Sequence, residues 1–142
     1  MWLKTILATL ATFAWSHTTW AHARLKPNST LNPRTTSSGE KVGPCGATTP
    51  TTDPTKRTTL APGQKLVVSW EETINHPGSF RIAFSKDGLT GFDNNILLNN
   101  IPDNNDTPVN YSDPTTYHQF SATVTLPQEQ CENCSIQLIQ VM

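Results

Sequence analysis

The chain has 142 residues, a formal net charge of −1 and only 15% charged residues, a size that suits one domain with a modest core. Charge this sparse excludes the clustered Lys and Arg that a nucleic acid or an anionic membrane surface needs as a partner, so a neutral ligand is the expectation.

Lys4, the apolar stretch Thr5 to Trp15 and the more polar Ser16 to Ala21 form the three regions of a secretory leader. The apolar stretch is too short to span a bilayer. Residues 1–21 are therefore predicted to be a signal peptide, with the rest secreted or periplasmic and free of membrane. Thr19 and Ala21 suit cleavage ahead of His22, whereas Ala21-His22-Ala23 offers a rival A-x-A site that removes the histidine. Residues 22–142 are predicted to be a single monomeric domain.

Lys26 to Pro62 is rich in Pro, Thr and Ser, with turn pairs at Asn32-Pro33, Gly43-Pro44 and Asp53-Pro54, and is predicted to be extended loop with at most one short strand. Leu66, Val68 and Trp70 then alternate with more polar neighbours, and Phe80, Ile82 and Phe84 repeat the pattern after His76-Pro77-Gly78. Period two marks half-buried strands. Ile96 to Leu98 reads as a short strand and Asn99 to Pro114 as a long irregular loop. From Tyr117 to Leu126, Phe120, Ala122, Val124 and Leu126 share one face. No stretch carries a convincing helical period. Short strands between turn-rich loops predict an all-β sandwich of the immunoglobulin or fibronectin III type.

Cys45, Cys131 and Cys134 are an odd count for an exported chain, where thiols pair as disulfides. Ser135 to Met142 reads as a strand that stops in mid-pattern. Together these features predict that the last strand or strands, and a fourth cysteine, lie beyond Met142, with a free thiol as the competing account. Cys131-x-x-Cys134 has neither the βαβ context of a redox motif nor the further thiolates of a zinc site. One of the pair is expected to bond Cys45 and the other a cysteine beyond the chain, in either order.

A histidine at a new N-terminus offers a metal its α-amine and its imidazole together. His76, placed at a loop tip by Pro77 and Gly78, is the second ligand candidate. Two imidazoles and an amine suit one copper ion, which favours tetragonal nitrogen donors; zinc would call for an HExxH or Cys-His pattern that is missing here. Around this pair, Glu71 and Glu72 are candidates to fix the His76 tautomer, against a default as solvated charges at a strand end. Gln137 and Gln140 fall on opposite faces of the last strand, and an inward amide could hydrogen-bond oxygen species at the metal. His118 is read as a core-rim histidine bonded to backbone, and Trp70 as a core anchor.

The opening His22-Ala23-Arg24-Leu25, the Gly43-Pro44-Cys45-Gly46 turn, the segment from Glu72 to Ile82 (ETINHPGSFRI) and the closing Cys131 to Met142 (CENCSIQLIQVM) resemble a bacterial group of secreted lytic polysaccharide monooxygenase-like proteins. The resemblance spans the exported region. It implies a fibronectin-like sandwich with a copper histidine brace, in which His22 gives its amine and Nδ1 and His76 one imidazole nitrogen. It also implies oxidative cleavage of a chitin- or cellulose-like polysaccharide; Tyr111 and Tyr117 are then candidates to stack on the glycan. The axial copper residue of such enzymes lies on a late strand and has no counterpart before Met142. The alternative on the same fold is a non-catalytic copper-binding or copper-capture protein.

Overall fold

In the computed structural model, residues 22–27, 31–35 and 53–142 are described. The signal-peptide expectation for residues 1–21 and the expectation for Cys45 lie outside them. Among the described residues there is no α-helix, only strands and three single-turn 3-10 segments. None is a helix long and apolar enough to cross a membrane.

Among the described residues six strands run in chain order: β1 (Ala23–Leu25), β2 (Lys65–Glu72), β3 (Ser79–Ser85), β4 (Ile96–Pro102), β5 (His118–Thr125) and β6 (Ser135–Val141). They form two antiparallel three-stranded sheets, ordered β1-β2-β5 and β4-β3-β6. This is the all-β sandwich that the alternating apolar pattern predicts. Leu66, Val68 and Trp70 of β2 and Val124 of β5 face Phe80 and Ile82 of β3 across a common core. Removing each such side chain from water is worth about 1.5–3 kcal/mol. The Trp70 ring stacks on Phe120 at 5.7 Å between centroids and meets Phe80 edge-on at 5.3 Å, which makes it the centre of the apolar layer.

Three elements differ from the sequence expectation. β1 is a strand of three residues, too short to display a period, held as the outer neighbour of β2. β4 continues to Pro102, so the irregular stretch begins at Asp103 rather than Asn99. A register shift between Phe80 and Ile82 sets two residues of β4, Asn99 and Asn100, against Arg81 alone. Asn100 takes a left-handed φ of 53° there, a conformation that asparagine tolerates and that a β-bulge uses. The turn-forming asparagines thus punctuate a strand instead of ending it. The third difference concerns the cysteines: Cys131 is bonded to Cys134, within one tight turn ahead of β6. The expectation that one of them reaches Cys45 and the other a residue beyond Met142 is thereby corrected.

Candidate functional site

The inward face of β2 is occupied by Leu66, Val68, Trp70 and, two residues on, Glu72. On β5 the inward face begins with His118 and continues through Phe120 to Val124. The register sets Glu72 directly opposite His118 and Trp70 opposite Phe120. The hydrophobic layer therefore ends, at one end of the sandwich, in a carboxylate and an imidazole. Both are buried, Glu72 fully and His118 at 3% exposure. Gln140 of β6 lies opposite Phe80 and closes the same end from the second sheet.

Glu72 is satisfied on both oxygens. Oε1 accepts the backbone N–H of His76 at 3.0 Å and the amide of Gln140 at 2.5 Å, and Oε2 accepts from His118 Nδ1 at 2.8 Å. The far nitrogen of His118 lies 2.9 Å from Thr107 Oγ1 and 3.0 Å from Thr107 O. Asp103, which receives a longer contact from Gln140 at 3.5 Å, has its carboxyl pushed up to about 6, first by burial and then by the negative charge of Glu72.

The residue just after β2, Thr73, is completely buried and grips the first histidine: its N–H and its hydroxyl both donate to the carbonyl of His22, at 2.7 and 3.0 Å. Glu72 and Thr73 thus hold the backbones of His76 and His22 from adjacent positions. The consequence is that the two imidazoles converge. His22 Nδ1 lies 3.2 Å from His76 Nε2, and the rings stack 26° apart with centroids at 5.4 Å. Both histidines are half-buried and so remain open to solvent on one side.

The turn before β3 leaves no slack. A β-carbon on Gly78 would fall 2.3 Å from the carbonyl oxygen of Val141, so the His76-Pro77-Gly78 bend packs backbone to backbone against β6. On the outer face of the first sheet, Glu71 is bound by Arg24 at 2.5 Å and by Gln119 at 3.1 Å. Arg24 also lies 5.6 Å over the ring of Tyr117, whose hydroxyl donates to Tyr111 O. Tyr111 itself is 59% exposed.

The candidate residues therefore divide. His22 and His76 come together, and Glu72 and Gln140 lie directly beneath them. Glu72 meets the His76 backbone N–H, whereas the sequence reading aimed it at the imidazole tautomer. Neither Glu71 nor Glu72 is a solvated strand-end charge. Gln137 is buried on the opposite face of β6, opposite Ala83. Thr73, Asp103 and the Glu72–His118 pair were missed as site residues, although Glu72 continues the even-numbered inward face of β2 and His118 that of β5.

Two groups of donors invite a metal. Glu72, Asp103 and His118 bring ligand atoms within 4.8 Å of one another, but both oxygens of Glu72 and both ring nitrogens of His118 are already engaged with protein partners. His22 Nδ1 and His76 Nε2 point at each other instead, two nitrogen donors with solvent beside them. That donor set fits copper.

The family described as lytic polysaccharide mono-oxygenase, cellulose-degrading, matches residues 12–141. No curated protein and no solved structure matches the chain.

Proposed function

The chain belongs to the lytic polysaccharide mono-oxygenase family, and from that premise we propose that it is exported, loses residues 1–21 and binds one copper ion through His22 and His76 to oxidise a cellulose- or chitin-like polysaccharide. The observation that carries this reading is the approach of His22 Nδ1 to His76 Nε2 at 3.2 Å. Two imidazole nitrogens at that spacing can converge on one cation through their lone pairs. Cleavage ahead of His22 adds the α-amine as a third nitrogen on the same residue.

Copper bound there supplies one-electron redox chemistry toward dioxygen or peroxide at the protein surface. The protein contributes position. Thr73 fixes the carbonyl of His22, Glu72 fixes the amide of His76, and the Gly78 contact with Val141 fixes the bend between them. Each histidine is thus anchored through its main chain, which holds the two facing imidazole nitrogens in place without a metal. Tyr111, exposed, and Tyr117, capped on one side by Arg24, offer aromatic surface for a sugar ring.

N-terminal sequencing of the exported protein, copper EPR and incubation with cellulose or chitin plus ascorbate and peroxide test the reading together. A mature chain that begins at His22, a nitrogen-rich cupric spectrum lost in His76→Ala, and release of oxidised oligosaccharides are the expected results. A chain that begins at Arg24 overturns it. Copper binding with no oxidised product assigns the same site to copper capture.

A further inference from the structure

We propose that His118 is a positioning residue for the copper site: through Glu72 it holds the backbone of His76 where the second imidazole must stand. The inference rests on the copper reading above. Glu72 is cut off from solvent, so its carboxylate takes its orientation wholly from the donors around it. Gln140 and the His76 amide occupy Oε1, and Oε2 meets His118 Nδ1 at 2.8 Å, with the Asp103 carboxyl hydrogen-bonded to the same group.

His118 is itself clamped from behind. Its Nε2 faces two oxygens of Thr107, and the hydroxyl of Thr107 donates onward to Asn105 Oδ1 at 2.7 Å. Nε2 thus meets two oxygens of one residue while Nδ1 meets Glu72, and the ring is gripped at both nitrogens. His118 is thus a rigid two-ended strut between the Asn105–Thr107 loop and Glu72. Without it, Oε2 loses its imidazole partner in a dry site beside the acid Asp103, a condition that a carboxylate escapes by rotating away. The His76 amide then loses its acceptor, and His76 Nε2 its fixed distance from His22 Nδ1. His118 touches neither histidine ring, so its effect on metal is indirect.

The test compares exported wild type with His118→Gln and with the double variant Glu72→Met/His118→Phe, in which apolar groups fill the space of the pair and keep the core packed. Thermal unfolding without metal reads folding; copper titration and the cupric EPR spectrum read the site. The expected result is folded variants whose copper affinity is about 10- to 100-fold weaker, the range typical of residues that support a metal ligand from behind, with an altered EPR spectrum. Folded variants with wild-type affinity and spectrum overturn the proposal. Loss of copper binding in His22→Ala verifies the parent reading separately. Wild type that takes up no copper sinks both, whereas unchanged His118→Gln beside a dead His22→Ala sinks this proposal alone.

Discussion

The turns at the two ends of β3 solve the same problem in opposite ways. After β3, Asp87 is bound by its own neighbours: Oδ1 accepts from Ser85 Oγ and from the N–H groups of Leu89 and Thr90, and Oδ2 from the Thr90 hydroxyl, all within three residues. Before β3, Glu72 is bound by residues 46 and 68 positions away as well as by His76. The first carboxylate needs only a turn, the second needs the whole sandwich. Their charges follow suit. Hydrogen bonds from the Thr90 hydroxyl and amide hold Asp87 far below the usual carboxylate range, whereas Asp103, beside Glu72, is pushed up to about 6. A local acid is comfortable when ionised, and acids gathered by the fold repel each other and rely on His118 for compensation.

Removing Glu72 alone should produce the largest effect. Glu72→Leu leaves the His118 imidazole and the Gln140 amide without their acceptor in a buried setting, which costs about 3–5 kcal/mol and should lower the thermal midpoint by about 10 °C or more. Asp87→Ala, which only loosens one exposed turn, should move the midpoint far less under the same calorimetric scan. Equal shifts for the two variants would dissolve the contrast between the two ends of β3.

Gly78→Ala comes next. The added methyl meets the Val141 carbonyl at 2.3 Å, and because both atoms are held by backbone the bend or the end of β6 has to give way, at about 1–3 kcal/mol by analogy with overpacked cores. The bend carries His76, so copper titration of this variant should show weaker binding in parallel with the lower midpoint. A drop in stability with wild-type copper affinity would place the strain in β6 and clear the bend.

How much of this was readable in the chain follows the same division. Leu66, Val68, Trp70, Phe80, Ile82 and Val124 announce their strands by alternation, and a sandwich follows from where the turns fall. His22 and His76 stand out because one follows a leader and the other sits in a His-Pro-Gly bend. The Glu72–His118 contact is different in kind. It depends on the register of β2 against β5, and a slip of one residue would turn both side chains to the other face. Until that register is known, Glu72 looks like a solvated strand-end charge and His118 like a core-rim histidine bonded to backbone. Thr73 carries no signal at all, since its role arises from β1 pairing as an edge strand of three residues. The cysteines mislead in the other direction: a long-range disulfide is expected of an exported chain, and the bond closes within one turn.

The finest distinction between the two ends is the sign of their response to pH. Asp103 has its folded value raised from 3.8 to about 6 by burial and by Glu72, so the folded state takes up a proton before the unfolded chain does. Its contribution to stability is complete below about pH 4 and is lost as pH rises through about 6. Asp103→Asn keeps the shape and the acceptor while removing the charge, so above pH 6 it should be the more stable protein. The gain is no more than about 1 kcal/mol, because the side chain is partly exposed and solvent screens much of the repulsion; it should fade as pH falls from 6 toward 4. Asp87 has its folded value lowered, so its contribution is present above the unfolded value of 3.8 and disappears as acid protonates the folded turn. Asp87→Asn, which keeps one acceptor oxygen and forfeits the other, should therefore be the less stable protein at pH 7, with the deficit shrinking in acid. Thermal midpoints of the two variants against wild type should lie on opposite sides of zero at neutral pH, with the Asp103→Asn gain fading between about pH 6 and 4 and the Asp87→Asn deficit shrinking only below about pH 3.8. Differences of the same sign at pH 7 would mean that Asp103 is held by its surroundings as an ion, and the charge crowding beside Glu72 would have to be abandoned.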